Sequence, residues 1–325
     1  MRSKRWIIGL VTLTGAIVAL IELIERRVLA GIDASSEQSG LDSGAAPVEV
    51  RRIGTSAAGE LYVEERGIGQ PVVLLHGHGA TVGTFAKLAP QLAANGHRVV
   101  AVDQRGFGRS SAVPGDFTFR GLLEDVVVVL EELDLRDAII VGHSMGGAVA
   151  LGVAVHHREV IEERVRGLVL LSSTARGPAD DRRHRALVAA MDWPYLERLS
   201  RHPRHGVVLT RGNFGDRPRL SDVQAARLVG LESPVAARRG FARRLLGTDL
   251  TDDLSDVQLP ILALAGSADR VISVRHTELL ANLLPNAQAR IFDGAGHMLP
   301  LECADAVSDL IVAFAKAIDE EQSRG

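Results

Sequence analysis

Short, unbroken apolar runs recur along this chain, each followed by a longer stretch in which apolar residues fall at helical spacing. Residues 71–75, 98–102, 137–141, 167–172, 260–265 and 289–293 have the length and composition of buried strands. Between and after them, 84–95, 118–133, 148–155, 274–284 and 304–318 read as helices, the first of them ending at Gly96. Ahead of this rhythm, 48–53 and 60–65 look like two antiparallel strands joined by a turn at 57–59. Alternating buried strands and helices require crossover connections. They predict an α/β fold: a mostly parallel, open sheet covered by helices on both faces.

The rhythm stops after Ser173. Residues 176–256 contain no apolar run of strand length and are mainly polar and helical, and the strand pattern then resumes. This predicts a core made of 48–175 and 257–318, a helical insertion over 176–256, and a short tail at 319–325.

The amino terminus is different again. Arg2, Lys4 and Arg5 precede an apolar run over 6–21, and Glu22, Glu25, Arg26 and Arg27 close the segment. At 1.5 Å per residue that run spans about 24 Å, and counting through Ile24 brings it to membrane length. The expectation is a membrane-associated protein with a single uncleaved anchor in residues 1–31, crossing through 6–24, and a main domain outside the cytoplasm. A cleaved signal peptide, with Val28-Leu29-Ala30 as its site, would give a secreted soluble form instead. Residues 32–47, small and glycine-rich, read as a flexible linker.

Composition narrows the classes. A hydrophobic content of 46% and a formal charge of -3 describe a protein able to bury a large core, with no overall bias toward nucleic acid. The single cysteine, Cys303, excludes an internal disulfide. No histidine, cysteine or carboxylate cluster has metal-ligand spacing, and the adjacent pair His156-His157 would point two ways on a helix, so neither metal nor cofactor is expected. Gly106 and Gly108 are followed by no Gly-Lys-Ser/Thr, which removes a phosphate-loop reading.

The chemistry centres on Gly142-His143-Ser144-Met145-Gly146. A buried strand precedes it and a helix of small residues follows, so Ser144 stands at a sharp strand-to-helix turn. Gly142 and Gly146 sit where a Cβ would press on that turn. Alone, this is also what a glycine-rich turn that happens to contain a serine looks like. A serine hydroxyl needs a base, and the base needs an acid to orient it. Asp269 follows the strand at 260–265 and His297 follows the strand at 289–293, so both arrive at the carboxyl edge of the same sheet as Ser144. Asp249, Asp252, Asp253 and Asp256 are alternative acids, but they precede their strand. His156, His157, His184, His202 and His205 lie in helical or arginine-rich stretches and read as surface groups.

His76-Gly77-His78-Gly79, the stretch from Asp103 to Ser110, the serine turn, Gly266-Ser267-Ala268-Asp269 and Gly294-Ala295-Gly296-His297 together resemble the α/β-hydrolase superfamily, in particular its lidded serine esterase and lipase branch. The resemblance covers 48–318, the insertion matching in position and length alone. It implies Ser144 as nucleophile, His297 as base, Asp269 as acid, and an oxyanion hole formed by the backbone N–H groups of His78 and Met145, with Gly77 shaping the loop. It also implies a structural His76 packed on the Asp103 loop. His143 is expected to face away from the pocket, and the His78 side chain to face solvent.

From 176 to 245 there are fifteen arginines, no lysine and seven acids, a formal +8 against -11 for the rest. That reads either as a solvated surface or as a basic lid toward anionic lipid or an anionic substrate, with Met191, Trp193, Tyr195, Phe214 and Phe241 available to line the pocket beneath it. The expected activity is hydrolysis of a small, lipophilic carboxylic ester, with no nucleic-acid partner. Carbon–carbon bond hydrolysis or cofactor-free haloperoxidase-like chemistry would use the same residues, and a non-catalytic ligand-binding relative is the reading from another class.

Overall fold

Neighbouring residues on the central strands bury into opposite sides of one sheet. In this computed structural model, Val73 and Leu75 point to one face and Val72 and Leu74 to the other, all of them essentially inaccessible. The structure describes residues 26–33, 48–55, 59–112, 115–177, 194–245 and 247–322. Its eight strands are β1 Glu49–Gly54, β2 Glu60–Arg66, β3 Gln70–Leu75, β4 His97–Asp103, β5 Ala138–His143, β6 Val165–Leu171, β7 Ile261–Gly266 and β8 Ala287–Phe292. They form one sheet in the order β1-β2-β4-β3-β5-β6-β7-β8. β2 runs antiparallel to β1 and β4, and every other pairing is parallel.

Covering both faces explains why β5, β6 and β7 are apolar at almost every position and wholly buried. On one face lie α2 Phe119–Glu132 and α3 Met145–His156, the first capped by the Thr118 hydroxyl on the Gly121 N–H. On the other lie α1 Leu88–Ala94 and, at the far end of the chain, the helix Ala304–Gln322, which packs Val307, Ile311 and Ala315 against the sheet. A short charged helix, α4 Arg158–Arg164, precedes β6. Asp125 and Arg105 make a buried, two-bonded ion pair at 2.6 Å, with Asp116 on the third guanidinium nitrogen.

The single helix expected over 84–95 is instead a tight turn at Val82–Phe85 followed by α1. The cause is local. Buried Asp103 accepts the Val82 N–H at 2.7 Å and the Thr81 hydroxyl accepts that of Gly83, so the chain coils early and tightly. The last helix runs four residues past its expected end at 318.

Among the described residues four α-helices lie between β6 and β7: α5 Pro194–Arg201, α6 Pro203–Arg211, α7 Leu220–Glu232 and α8 Val235–Leu245. Phe214 and Phe241 were expected to line a pocket, and both are fully buried instead. Phe241 stacks on Phe107 at 5.2 Å and meets the edge of Phe117, joining the inserted helices to the main core. Phe214 packs with Ile32, Val207, Val223, Met298 and Leu301 in a separate cluster. Met191 and Trp193 lie outside the described residues, as does the side chain of Tyr195.

The membrane placement is corrected. Among the described residues no helix is long and apolar enough to cross a membrane, and the expected span at 6–24 lies outside them, as do 34–47 of the expected linker. The amino-terminal residues that are described dock on the protein itself. Ile32 is buried beside Phe214, the Asp33 N–H donates to the Pro218 carbonyl, and the Leu220 N–H donates to that of Asp33.

Phe241→Ala is expected to lower stability by about 3–5 kcal/mol, the usual cost of deleting a buried aromatic. Denaturant unfolding monitored by circular dichroism checks this.

Candidate active site

Ser144 follows the last residue of β5 and precedes the first of α3, with φ 54° and ψ −116°. For a residue with a side chain this conformation costs about 1–3 kcal/mol, so the surroundings must impose it. They do so through main-chain contacts. The Ser144 N–H donates to the Leu171 carbonyl at 2.8 Å, and the Ser173 hydroxyl donates to the Ser144 carbonyl at 2.8 Å. A Cβ on Gly146 would overlap the carbonyl group of Leu75 at the end of β3, and one on Gly142 would overlap the main chain of Gly146. Gly77 is nearly as confined, since a Cβ there would stand 3.1 Å from that of Ser144 and 3.0 Å from Nδ1 of His143.

Asp269 and His297, read from separate strand ends, meet. His297 Nδ1 and Asp269 Oδ2 are 2.9 Å apart, the carboxylate fully buried and the imidazole nearly so. The other carboxylate oxygen accepts the N–H groups of Val271 and Ile272 at 2.8 and 2.9 Å. Burial alone would raise the Asp269 carboxyl, but the hydrogen bond and charge of His297 and these two N–H groups outweigh it and hold it below its ordinary value. An ionised acceptor requires the proton on Nδ1, which leaves Nε2 as the basic nitrogen. The half-buried Ser144 hydroxyl makes no hydrogen bond among the described residues. Such bonds often tighten only when substrate is present.

His76 is a framework group. Its Nε2 accepts the Gln104 N–H at 2.9 Å, so Nδ1 carries the hydrogen given to the Gly77 carbonyl at 2.7 Å. Burial lowers its pKa, against the pull of Asp103. His78 departs from the expectation of a solvent-facing ring. It is half-buried, its Nε2 lies 2.7 Å from the Arg238 carbonyl on α8, and its ring meets the edge of Phe107. Two more bonds tie this loop to the inserted helices: the Thr81 hydroxyl to Glu232 at 3.1 Å, and the Ser233 hydroxyl to the Ala80 carbonyl at 3.0 Å.

One residue at the site, Glu302, was missed in the sequence, and His143 was read without its partner. His143 does turn from the serine, but toward His297: its Nε2 donates to the His297 carbonyl at 2.8 Å and the rings lie 4.9 Å apart. Glu302 contacts the loop on both sides of His297. A side chain whose partner is a distant main-chain atom leaves no spacing pattern to read. For His143, its place beside Ser144 was the available signal. A cavity of about 500 Å³ lies behind this loop, bordered by Arg217, Arg219, Asp293, Glu302 and Cys303; its lining does not include Ser144.

A mostly parallel eight-stranded sheet carrying a strained serine at the β5–α3 turn, with an acid–histidine pair beyond β7 and β8, has the architecture of an α/β-hydrolase. The chain belongs to the family described as serine aminopeptidase, S33, whose model matches residues 68–304. It is 32% identical over 256 residues to the dihydrolipoyllysine-residue acetyltransferase component of the acetoin cleaving system of Pseudomonas putida, a match covering 76% of this chain and 64% of that protein. It is 29% identical to the pimeloyl-acyl-carrier-protein methyl ester esterase of Yersinia enterocolitica, over 75% of this chain and 93% of that one. Among solved structures, a thermophilic esterase from Thermogutta terrifontis superposes with a TM-score of 0.71 at 26% identity, covering 83% of this chain and 99% of that one. Further relatives carry the names of haloperoxidases and of a carbon–carbon bond hydrolase, 2-hydroxymuconate semialdehyde hydrolase. These likenesses make the chain an α/β-hydrolase enzyme.

Burial and the neighbouring His297 hold the His143 imidazole down to about 3. The unfolded chain takes up this proton near pH 6.5 and the folded protein does not. Stability therefore falls as pH drops below about 6.5, by about 1.4 kcal/mol per unit for this group. Unfolding curves at pH 7 and pH 5 are expected to show a smaller acid loss in His143→Gln than in the wild type.

Proposed function

We propose that this protein is a serine hydrolase that cleaves a small-molecule carboxylic ester through an acyl-enzyme. The observation that carries this reading is the Asp269–His297 hydrogen bond, which leaves Nε2 basic at the sheet edge where Ser144 stands. Ser144 Oγ attacks the ester carbonyl while His297 Nε2 takes its proton. The tetrahedral intermediate collapses, and the same proton goes to the departing alkoxide. Water then attacks the acyl group with His297 again as base, releasing the acid and restoring the serine. Asp269 stays ionised and holds the imidazole in one tautomer.

The developing oxyanion is held by the N–H groups of Met145 and His78. Met145 opens α3, so its N–H has no helical acceptor and lies at the positive end of the helix dipole. The His78 N–H has no acceptor among the described residues. Losing one such donor costs about 3–4 kcal/mol of transition-state stabilisation, comparable with losing a general base, so the loop at 77–78 counts as machinery. The inserted helices act as a lid in this reading, supported by the bonds from Glu232, Ser233 and Arg238 to residues 78–81.

The names of relatives support two rivals on the same residues, haloperoxidase-like chemistry and carbon–carbon bond hydrolysis, and the latter differs from ester cleavage chiefly in the bond broken. A panel of aryl esters of increasing acyl length, run beside a vinylogous diketone, separates the two and tests the preference for a lipophilic acyl chain. Wild-type protein is expected to take a fluorophosphonate label and turn over esters. Ser144→Ala is expected to lose the label and about 10⁶-fold in kcat. A folded wild type that neither labels nor hydrolyses would remove the proposal.

A further inference from the structure

The Glu302 carboxylate, on the short turn Leu299–Glu302, accepts main-chain hydrogens from three places. Oε1 takes the Gly296 and Met298 N–H groups, each at 3.1 Å, so it grips the residues immediately before and after His297. Oε2 takes the Gly215 N–H at 2.7 Å and shares that of Gly296 at 3.1 Å. Gly215 belongs to the inserted segment, where two further main-chain bonds reach the same loop. The His297 N–H donates to the Asn213 carbonyl at 2.9 Å, and the Asp216 N–H to the Gly294 carbonyl at 2.9 Å. The approach is tight enough that a Cβ on Gly215 or Gly296 would overlap the opposing backbone.

We infer that Glu302 is a positioning residue for His297: its carboxylate fixes the loop that aims the imidazole and locks that loop to the base of the inserted helices. The inference rests on the serine-hydrolase reading for its catalytic consequence and on these bonds for its geometry. Burial raises the pKa of Glu302 while the N–H groups oppose the rise, so the carboxylate occupies this place by virtue of its donors. A glutamine of the same shape cannot replace it. One side of the amide is a donor, and it would face an N–H that has lost its acceptor.

In Glu302→Gln, kcat for an aryl ester and the rate of fluorophosphonate labelling are expected to fall together by about 10²-fold, as a displacement near 1 Å produces, while KM moves less than about twofold. The far-downfield proton resonance of the His297 Nδ1–H on Asp269 should broaden or vanish in the variant. A merely structural role would leave kcat, KM and this resonance unchanged in whatever fraction folds. Glu302→Asp, which keeps the charge but withdraws it, should show the same split and serves if the glutamine variant does not fold. A folded variant with wild-type kcat and an unaltered resonance overturns the inference. A wild type that takes no label counts against the serine-hydrolase reading alone, and the resonance then decides the role of Glu302.

Discussion

The structure depends on one close approach between backbones: the turn after β5 lies directly against the carbonyl end of β3, with nothing but Gly146 between them. No side chain fits there. The Ser144 conformation follows from this contact, because a chain pressed so closely must reverse with a positive φ. The strain is affordable because β5 is buried along its whole length and held in register by β3 and β6. A few kcal/mol of local strain are small against the burial of strands and helices on both faces.

The acid–histidine pair obeys a different constraint. Buried charge is costly unless every acceptor is used, and Asp269 uses both oxygens, one on His297 and one on two backbone N–H groups. The same rule governs Asp103, which takes the N–H groups of Val82 and Arg109, and the Arg105–Asp125 pair. Loops at the sheet edge are thus shaped by carboxylates that collect main-chain hydrogens. The imidazoles follow the complementary rule. His76 and His143 are buried, neutral and bonded to backbone, so positive charge is kept off the neighbours of His297.

How much of this could be read from the chain depends on whether the determinant is local. The strands announced themselves as apolar runs, and Ser144 was visible because its flanking glycines are sequence neighbours. That Asp269 and His297 would meet could be expected from their places after strands, although 28 residues separate them. Glu302 and the His78–Arg238 contact could not, since one partner in each is a peptide group, identical at every position. Phe214 and Phe241 misled for a related reason: an aromatic in a polar stretch shows that something is covered, without showing what. The apolar amino-terminal run misled about placement, and the residues just after it, Ile32 and Asp33, turn out to rest on the inserted segment.

The way the inserted segment is fastened has an evolutionary corollary. Several of its attachments use peptide groups of its own: Asn213, Gly215 and Asp216 meet the His297 loop, and the Arg238 carbonyl meets His78. Peptide groups are the same whatever residue carries them. Provided the backbone path at these stations is kept, the rest of the segment is free to drift in charge, bulk and shape. The frame then behaves as a socket and the inserted helices as an exchangeable fitting.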